Sequence, residues 1–249
     1  MEILLCGCFG RMGRAVAACA AGTDCRIAAG VDPVAGEAPF PVFTAIEDCA
    51  VPADVIVDFS SSAALESELR CARERHLPLV LATTGLDEAQ IAAVRAAAKE
   101  IPVFFSGNMS LGVALLTALT RQAAAVLGDG FDVEILEMHH NQKLDAPSGT
   151  AKMLAEAARQ GLPYEPETVY DRHDRRCKRS PREIGISSIR GGNIVGEHQV
   201  IFAGHDETVI LTHRAQSREI FAVGALRAAR FLAGKPAGLY TMEDLLDCR

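Results

Sequence analysis

Two adjacent histidines, a lysine and a Pro-Ser-Gly-Thr turn lie close together in Glu137–Ala151, which reads EMHHNQKLDAPSGTA. A histidine can transfer a proton near neutral pH, and the ammonium group of Lys143 adds positive charge beside it. The turn leads into a helical run, AKMLAEAARQ, which Ser148 or Thr150 can cap. Backbone amides and the positive end of a helix dipole bind carboxylates. The pattern therefore predicts a proton donor beside an anion-binding site.

The two histidines end a predicted strand at Phe131–His140, whose apolar and charged residues alternate. Neighbours on a strand point to opposite faces, so His139 and His140 should differ in role. An ordinary strand-to-helix turn with solvated histidines is the alternative interpretation. No metal site is predicted, because neither an HxxxH nor an HExxH pattern occurs among His139, His140, His198 and His213.

A glycine-rich turn follows a predicted strand at residues 2–6 and opens a predicted helix. Small residues in such a turn let the backbone approach a pyrophosphate at the helix N-terminus. A second strand leads to Asp32, 19 residues after Gly13, where an acid can bind the adenosine ribose. The alternative is an α/β turn that binds no phosphate. The context favours a dinucleotide loop made of Gly7, Cys8, Phe9, Gly10, Arg11 and Met12.

The residue after the acid bears on the choice of cofactor. Pro33 follows Asp32, so a 2′-phosphate would face a carboxylate with no cation immediately behind it. This local pattern predicts that NADH is preferred to NADPH. Arg11 could supply a partial counter-charge, so use of both cofactors stays open.

Strands and helices alternate up to residue 105, with strands predicted at 53–59, 79–82 and 103–105 and helices at 63–75 and 87–99. This alternation is typical of a Rossmann-like, doubly wound parallel sheet that binds ligands at the carboxyl ends of its strands. Small and polar residues follow those ends. They are predicted to line the cofactor cleft, with ordinary turns as the alternative: Asp58-Phe59-Ser60, Ala82, Thr83, Thr84, Gly85, Ser106, Gly107, Asn108 and Met109.

The pattern changes after a helix that begins near Ser110. Strands are predicted at 131–140, 183–190, 194–203 and 208–213, with one helix at about 150–160. This order indicates an α+β domain with a mixed or antiparallel open sheet, whose uncovered face suggests self-association. Asp171–Arg182, which carries six Arg or Lys residues, is interpreted as a solvated, mobile loop over a site for an acidic ligand. A helix at Ser217–Ala233 is expected to return to the first half.

Composition argues against several classes of protein. A net charge of -7, a pI near 5.5 and the absence of Trp argue against a nucleic-acid partner. The opening MEILLCGCFG has no basic region, so no secretory signal is predicted, and no apolar run of about 20 residues is expected to cross a membrane. We therefore expect a cytoplasmic chain whose eight cysteines are free thiols.

Several segments together resemble the 4-hydroxy-tetrahydrodipicolinate reductase family, also called dihydrodipicolinate reductase. They span nearly the whole chain and include GCFGRMGR, ATTGLDEAQI, FSGNMSLGVALL, EMHHNQKLDAPSGTA, IRGGNIVGEHQVIF, LTHRAQSREIFAVGALRAARFLAGKPAGLY and TMEDLL. The HHxxK motif with DAPSGTA is highly specific to that family. The resemblance implies reduction of a cyclic imine dicarboxylate by NADH or NADPH in lysine and diaminopimelate biosynthesis. It also implies a homotetramer assembled through the open sheets of the substrate domains.

Matched position by position, the resemblance makes His139 the proton donor and Lys143 its partner donor. It makes His140 a substrate contact and Gly149-Thr150 the turn that holds a substrate carboxylate. The loop from Gly7 to Met12, the acid Asp32 and the segments at 82–84 and 106–109 correspond to the cofactor-binding residues of the family.

Three departures from the family pattern are visible. Pro33 stands where many relatives have a basic residue for the 2′-phosphate, Ala82 where Gly is usual, and Met109 where an aromatic residue is frequent. The predicted domains are a dinucleotide-binding domain at 1–109, a substrate-binding and tetramerisation domain at 110–216, and a C-terminal helix and tail at 217–249 that return to the first domain.

Two rival functions remain from the sequence. One is another dehydrogenase with a Rossmann half, such as an amino-acid or aldehyde dehydrogenase. A thioester-forming aldehyde dehydrogenase needs a cysteine nucleophile in the second half, where Cys177 lies in a charged loop. The other rival is a non-catalytic NAD-sensing module, which would keep the glycine loop without needing the HHxxK motif.

Overall fold

The computed structural model describes residues 1–34 and 36–247, and the chain divides into two compact units. The first unit comprises Met1–Leu111 and Arg218–Arg249, and the second comprises Gly112–Ser217. The chain therefore leaves the first unit once and returns to it. Each unit contains its own sheet.

The first unit contains a seven-stranded sheet in which every pairing is parallel. Its strands are β1 (Glu2–Cys6), β2 (Arg26–Val31), β3 (Val42–Phe43), β4 (Val55–Asp58), β5 (Leu79–Leu81), β6 (Pro102–Phe105) and β12 (Gly238–Tyr240). Their spatial order is 12-6-5-4-1-2-3, so the winding direction reverses at β1. Doubly wound sheets bind ligands at such a switch point. The predicted Rossmann-like sheet is confirmed.

The helices of the first unit are α1 (Arg11–Ala20), α2 (Leu65–Glu74), α3 (Glu88–Ala97), α6 (Glu219–Leu232) and α7 (Met242–Asp247). The central strands form a core in which Leu4, Ile56, Leu79 and Val103 are fully buried. Strands covered on both faces carry nearly continuous apolar runs, which is why the sequence predicts them well.

The C-terminal segment is built into the first unit. Helix α6 packs so closely on the loop after β6 that a side chain at Gly224 would begin 1.7 Å from the carbonyl oxygen of Met109. Strand β12 then pairs with β6 at the edge of the sheet. The sequence predicts the helix but not β12, because three residues are too few to show a strand period.

The second unit contains a five-stranded mixed sheet. Its strands are β7 (Asp132–His139), β8 (Glu167–Tyr170), β9 (Glu183–Arg190), β10 (Gly196–Ala203) and β11 (Thr208–Ala215), in the order 11-10-7-9-8. Strands β7, β10 and β11 pair antiparallel, whereas β9 runs parallel to both β7 and β8. The predicted mixed sheet is confirmed, although the sequence does not predict β8.

Two helices, α4 (Leu111–Leu127) and α5 (Gly149–Gly161), pack on one face of this sheet. Buried and half-buried residues alternate along β7 and β10, as expected for a sheet with one covered face. Gly161 lets the helices approach closely, since a side chain there would begin 2.3 Å from the carbonyl oxygen of Arg121. On the opposite face, Leu136 and Met138 are half-buried and Ile210 is 53% exposed.

One helical stretch among the described residues is long and apolar enough to span a membrane. It is Leu111–Gly130, with 20 residues and a mean hydropathy of 1.5, so the expectation that no such run exists was wrong. However, Leu116 and Ala124 on this stretch pack in the core of the second unit against Val133 and Ile135. A core helix of a soluble protein passes the same test of length and composition, so this stretch is weak evidence for a membrane span.

The basic segment Asp171–Arg182 has a different role from the predicted one. Arg179 is mostly buried and binds Asp132 and Glu134 at 2.6 and 2.9 Å, and Arg172 pairs with Glu183. Arg172 therefore fastens the segment to the start of β9, and Arg179 fastens it to the start of β7. His139 lies at the other end of that eight-residue strand, roughly 20 Å away. The interpretation of this segment as a solvated loop over the ligand site was therefore wrong for Arg172 and Arg179.

Candidate active site

The glycine loop lies between β1 and α1 and leaves room for a ligand at the helix N-terminus. Gly7 has a φ of +73°, and a side chain there would begin 2.6 Å from the carbonyl oxygen of Phe59. A side chain at Gly13 would begin 2.1 Å from the carbonyl oxygen of Gly7. Gly10 is the N-cap of α1, no side chain caps this helix and its first turn contains no acid. Such an N-terminus is suited to a pyrophosphate.

Asp32 lies directly after β2 and is held by two backbone amides. The amide of Phe9 donates to Oδ2 at 2.9 Å, and the amide of Val34 donates to Oδ1 at 3.1 Å. The carboxylate is only 7% exposed, and each oxygen keeps further capacity to accept a hydrogen bond. The ribose acid predicted from the sequence is thus tied to the glycine loop in a fixed orientation.

The polar turns after β5 and β6 lie at the same edge of the sheet. Thr83 is buried, and its Oγ1 has no hydrogen-bond partner among the described residues. After β6, Ser106 Oγ donates to the carbonyl of Asn108 at 2.8 Å and shapes the turn. Met109, where the family frequently has an aromatic residue, is only 2% exposed. An orphaned buried hydroxyl at a strand end fits a polar ligand group.

A cavity of about 290 Å³ opens beside the glycine loop, among the segments that follow β1, β2 and β4. Its lining includes Gly7, Val31, Pro33, Glu47 and Ser60. Because the winding direction of the sheet reverses here, the cavity fits the adenosine half of a dinucleotide.

The buried acid Glu68 lines this cavity, and Ser60 connects it to a second buried carboxyl group, that of Asp58. The amide of Ser60 donates to Asp58 Oδ1 at 2.6 Å, and its hydroxyl donates to Glu68 Oε1 at 3.0 Å. Burial and the charge of Asp58 raise the pKa of Glu68 well above its ordinary value. A proton on Glu68 gives Asp58 a hydrogen-bond donor, so the two form an acid pair. Asp58 is fully buried and is not among the residues that line this cavity, whereas Ser60 is.

In the second unit, β7 places the two histidines in different surroundings, as the alternation predicts. His139 is the last residue of the strand and is buried on the helix-covered face, whereas His140 follows the strand and is half-buried. Two residues before His139, a row of polar side chains crosses the sheet on its helix-covered face. The row is formed by paired residues on four neighbouring strands: Ser188 on β9, Glu137 on β7, His198 on β10 and His213 on β11.

Glu137 is fully buried and holds several partners together. Its Oε2 lies 2.5 Å from His139 Nδ1, and its two oxygens accept from Arg190 at 2.7 and 2.9 Å. Its Oε1 also accepts from the amide of Ser148 at 3.2 Å. Burial opposes ionisation, but hydrogen bonds from Arg190, Ser188 and His139 outweigh it and lower the pKa of Glu137 to about 2. The group is therefore a carboxylate at every physiological pH.

The ring of another histidine, His198, packs against His139. The ring of His198 makes an edge contact with that of His139, with centroids 5.1 Å apart, and its Nε2 lies 3.0 Å from Ser148 Oγ. Burial, with a smaller contribution from the charge of His139, lowers the pKa of His198 to about 4. His198 is consequently neutral near pH 7.

Helix α5 begins beside this cluster. Ser148, rather than Thr150, is its N-cap, and the Ser148 hydroxyl accepts from the amide of Ala151 at 3.2 Å. Gly149 and Thr150 form the first turn, which contains no acidic residue. In the preceding loop, Lys143 Nζ pairs with Asp145 at 2.8 Å. The predicted donors His139 and Lys143 and the predicted anion turn thus belong to one short segment.

Sequence reasoning missed four residues of this cluster: Glu137, Arg190, Gly196 and His198. Glu137 carried a usable signal, since a residue two positions before His139 on a strand shares its face. Gly196 is close to His139 in space, because a side chain there would begin 3.1 Å from Nε2. Arg190 lies 53 residues along the chain from Glu137, and His198 lies 50 residues from Ser148. Pairing of β9 and β10 with β7 brings both residues into the cluster, and the local sequence does not show that pairing.

Family models cover both halves of the chain. The model described as dihydrodipicolinate reductase, N-terminus, matches residues 1–109, and the C-terminus model matches residues 112–246. The chain belongs to the dihydrodipicolinate reductase family. The 4-hydroxy-tetrahydrodipicolinate reductase of Caldanaerobacter subterraneus is 49% identical and covers 99% of this chain and 98% of its own length. That of Clostridium tetani is 44% identical and covers 99% and 97%.

Solved structures agree with this assignment. The dipicolinate-bound dihydrodipicolinate reductase from Paenisporosarcina sp. TG-14 is similar with a TM-score of 0.79, 26% sequence identity and 98% and 99% of the two chains covered. Aspartate dehydrogenase from Thermotoga maritima has a TM-score of 0.53 and 15% identity over 95% and 98%, so it shares the fold alone. The chain is thus an NAD(P)H-dependent reductase of lysine and diaminopimelate biosynthesis, and the predicted function is confirmed at this level.

Proposed function

We propose that His139 is the proton donor, with Lys143 as its partner donor, when the chain reduces the cyclic imine dicarboxylate 4-hydroxy-tetrahydrodipicolinate to tetrahydrodipicolinate. The 4-hydroxyl group of the substrate leaves as water in the overall reaction. When bound, the reduced nicotinamide supplies the hydride. The negative charge that then develops beside the reduced carbon needs a nearby proton. The fixed imidazole is the observation that carries this proposal. Since Nδ1 faces Glu137 at 2.5 Å, Nε2 is the ring atom that can hold a transferable proton.

The start of α5 supports a carboxylate site. Gly149 and Thr150 lie at the positive end of the helix dipole, directly after the N-cap Ser148, which contacts Glu137 and His198. Lys143 adds an ammonium group from the preceding loop. We assign Gly149-Thr150 to one substrate carboxylate and His140 to a further substrate contact. The related structure that contains dipicolinate supports a planar dicarboxylate as ligand.

The cofactor residues are assigned on the fit of the first unit to a dinucleotide. The close approach of backbone at Gly7 and Gly13, the fixed carboxylate of Asp32 and the orphaned hydroxyl of Thr83 all suit such a ligand. The proposed set is Gly7, Cys8, Phe9, Gly10, Arg11, Met12, Asp32, Ala82, Thr83, Thr84, Ser106, Gly107, Asn108 and Met109.

We further propose that NADH is preferred to NADPH. The carboxylate of Asp32 is already committed to two backbone amides, and Pro33 follows it. The adjoining cavity is lined by the acids Glu47 and Glu68, and no Lys, Arg or His belongs to its described lining. A 2′-phosphate would therefore face the carboxylate of Asp32, and the described lining of this cavity offers it no cation.

The two units have different roles in the proposed function. We assign cofactor binding to residues 1–109 with 217–249, and substrate binding to residues 110–216. We also propose that the chain is cytoplasmic and forms a homotetramer through the second-unit sheets. The half-buried apolar residues on the uncovered face of that sheet, with Ile210 at 53% exposure, support this surface as an interface.

A coupled assay tests the reaction. The preceding synthase generates the substrate in place from pyruvate and aspartate semialdehyde, and oxidation of NADH and of NADPH is followed in parallel. We expect oxidation that depends on the synthase, with a higher kcat/KM for NADH. His139→Gln should lower kcat about a hundredfold and change KM little. Near-normal turnover in that variant contradicts the proton-donor role, and absence of oxidation despite NADH binding favours the sensor.

A further inference from the structure

We propose that Glu137, held by Arg190, is the positioning residue that fixes the His139 imidazole for proton transfer, an inference that rests on the proposed role of His139. The side chains of Glu137 and His139 near the end of β7 and of Arg190 at the end of β9 contact one another.

The carboxylate of Glu137 orients the ring of His139. Both side chains point to the covered face, because they are two residues apart on one strand. The separation of 2.5 Å between Glu137 Oε2 and His139 Nδ1 leaves a proton on Nδ1. The tautomer is thereby fixed, and the exchangeable proton is carried by Nε2. An imidazole without this partner could rotate about its side-chain bonds or carry its proton on the other nitrogen.

Arg190 keeps the carboxylate in place. Its two terminal nitrogens form a fork on Glu137, and Nη2 also donates to the carbonyl of Asp145 at 2.6 Å. Asp145 is the residue whose side chain pairs with Lys143. The Glu137–Arg190 pair therefore connects the imidazole of one proposed donor to the loop that carries the other.

The pair also sets how readily His139 accepts and releases its proton. Burial lowers the pKa of His139, the carboxylate of Glu137 raises it, and the charges of Lys143 and Arg190 lower it again. In the transfer step the Nε2–H bond breaks, its electron pair stays on the ring nitrogen, and the proton goes to the substrate atom that became negative on hydride addition. Glu137 gains no proton in this step. It stabilises the imidazolium beforehand, and afterwards it still accepts the hydrogen bond from the Nδ1–H group of the neutral ring.

A purely structural role is the competing interpretation, since the same ion pair joins β7, β9 and the amide of Ser148 at the start of α5. The positioning role predicts that two variants shift the pKa of His139 in opposite directions, and a purely structural role does not. Removing the carboxylate in Glu137→Gln should lower the pKa of His139, whereas removing the guanidinium in Arg190→Gln should raise it. A structural defect would give no such opposed shifts.

The experiment measures the pH dependence of kcat and the titration of His139 by NMR in the full-length protein. The variants are Glu137→Gln, Arg190→Gln, His139→Gln and Glu137→Gln combined with His139→Gln. Glu134→Gln is the matched control, because Glu134 lies on the same strand and also binds an arginine, Arg179, but has no histidine partner among the described residues. Thermal unfolding and NADH binding identify any variant that fails to fold.

We expect Glu137→Gln to lower kcat at least about tenfold, to change KM little, and to move the alkaline limb of kcat to lower pH. In Glu137→Gln the NMR titration midpoint of His139 should also move to lower pH. In Arg190→Gln the same midpoint should move to higher pH. The double variant should be no slower than His139→Gln alone, because Glu137 acts through that ring.

Two results overturn the inference. One is an unchanged His139 titration in both Glu137→Gln and Arg190→Gln, and the other is a double variant whose losses multiply. If Glu137→Gln does not fold, the pKa of His139 in Arg190→Gln still tests the inference. An unchanged or lowered pKa in that variant contradicts it. If His139→Gln keeps the wild-type kcat, the proposed role of His139 fails as well. If His139→Gln loses kcat as expected and Glu137→Gln has no effect, only this inference fails.

Discussion

The histidines at positions 139 and 140 are neighbours in sequence, yet one strand gives them different chemistry. His139 is buried against a carboxylate, and His140 lies beyond the strand. Their side chains differ only in the direction that the strand period imposes. A proton donor needs a fixed ring and a controlled pKa, and at this pair of residues only His139 has a carboxylate partner among the described contacts.

Lys143 provides a test of the anion site. Lys143→Ala should lower kcat and raise KM, each at least about tenfold, because a charged hydrogen bond to substrate is worth roughly 1.5–3 kcal/mol. Lys178→Ala is the control, since it removes an exposed lysine of the same unit in the segment fastened to the start of β7. Steady-state kinetics with varied substrate separates the two parameters. An unchanged KM would mean that Lys143 does not orient the substrate.

Gly196 provides a test of access to the proposed donor atom. In Gly196→Ala the new methyl group would begin 3.1 Å from His139 Nε2 and 3.4 Å from its Cδ2. Crowding at the atom that transfers the proton should lower kcat about tenfold without weakening NADH binding. Gly191→Ala is the same change nearby at a position with open space. Equal effects of the two substitutions in the kinetic assay would count against Nε2 as the donor atom.

At the level of elements, the sequence predicts the first sheet better than the second. Strands such as β1 and β4 are buried on both faces, so each appears as a continuous apolar run between helices. The second sheet depends on pairings that no local pattern reports. Strand β9 pairs with β7 in parallel from about 50 residues away, and that pairing brings Arg190 opposite His139. The motif was therefore predictable, and the strand period relates Glu137 to His139, but the position of Arg190 was not predictable.

The loop after β2 should set cofactor preference. Pro33→Arg places a guanidinium beside the ribose acid, where it can form a fork with a 2′-phosphate. The ratio of kcat/KM for NADPH to that for NADH should rise about tenfold or more. Pro236→Arg makes the same change in a loop of the first unit after α6 and should leave the ratio unchanged. A ratio unaffected by Pro33→Arg would contradict the assignment of this loop to the adenosine ribose.

Helix α2 contributes the buried acid of the Asp58–Glu68 pair, which should make stability depend on pH. The pKa of Glu68 is raised on folding, so its favourable contribution is present below about pH 4.5 and is lost as pH rises towards the folded pKa. Glu68→Gln has no proton to lose and can still bind both neighbours. Its stability relative to wild type should increase with pH by up to about 1.4 kcal/mol per pH unit.

Chemical denaturation across that pH range measures the effect. Glu66→Gln is the control, because it removes the same charge from an exposed position of the same helix. The difference between that control and wild type should be nearly constant with pH. Parallel stability curves for Glu68→Gln and wild type would show that Glu68 is ionised in the folded protein.

For the molecule as a whole, the sequence predicts two units with different roles, whereas the structure is needed to show how the C-terminal segment joins the first unit. The helix at 217–233 was expected to return to the first half, and the chain from Arg218 onward belongs to the first unit, where β12 extends its sheet. The misread segment Asp171–Arg182 shows the limit. Six basic residues in twelve suggest a ligand site, but charge counts cannot show that Asp132 and Glu134 already neutralise Arg179.

Assembly is tested on the uncovered face of the second sheet. Ile210 is 53% exposed there, and in Ile210→Lys a homotetramer interface would have to bury an unpaired ammonium group. Light scattering should give wild type about four times the chain mass of 26.5 kDa and give the variant a smaller species. Val126→Lys introduces the same charge on α4, where Val126 is 77% exposed, and should keep the wild-type mass. A wild-type monomer would contradict the proposed tetramer. An Ile210→Lys variant of unchanged mass would contradict this interface, because an ammonium group that does not weaken assembly must remain exposed to water.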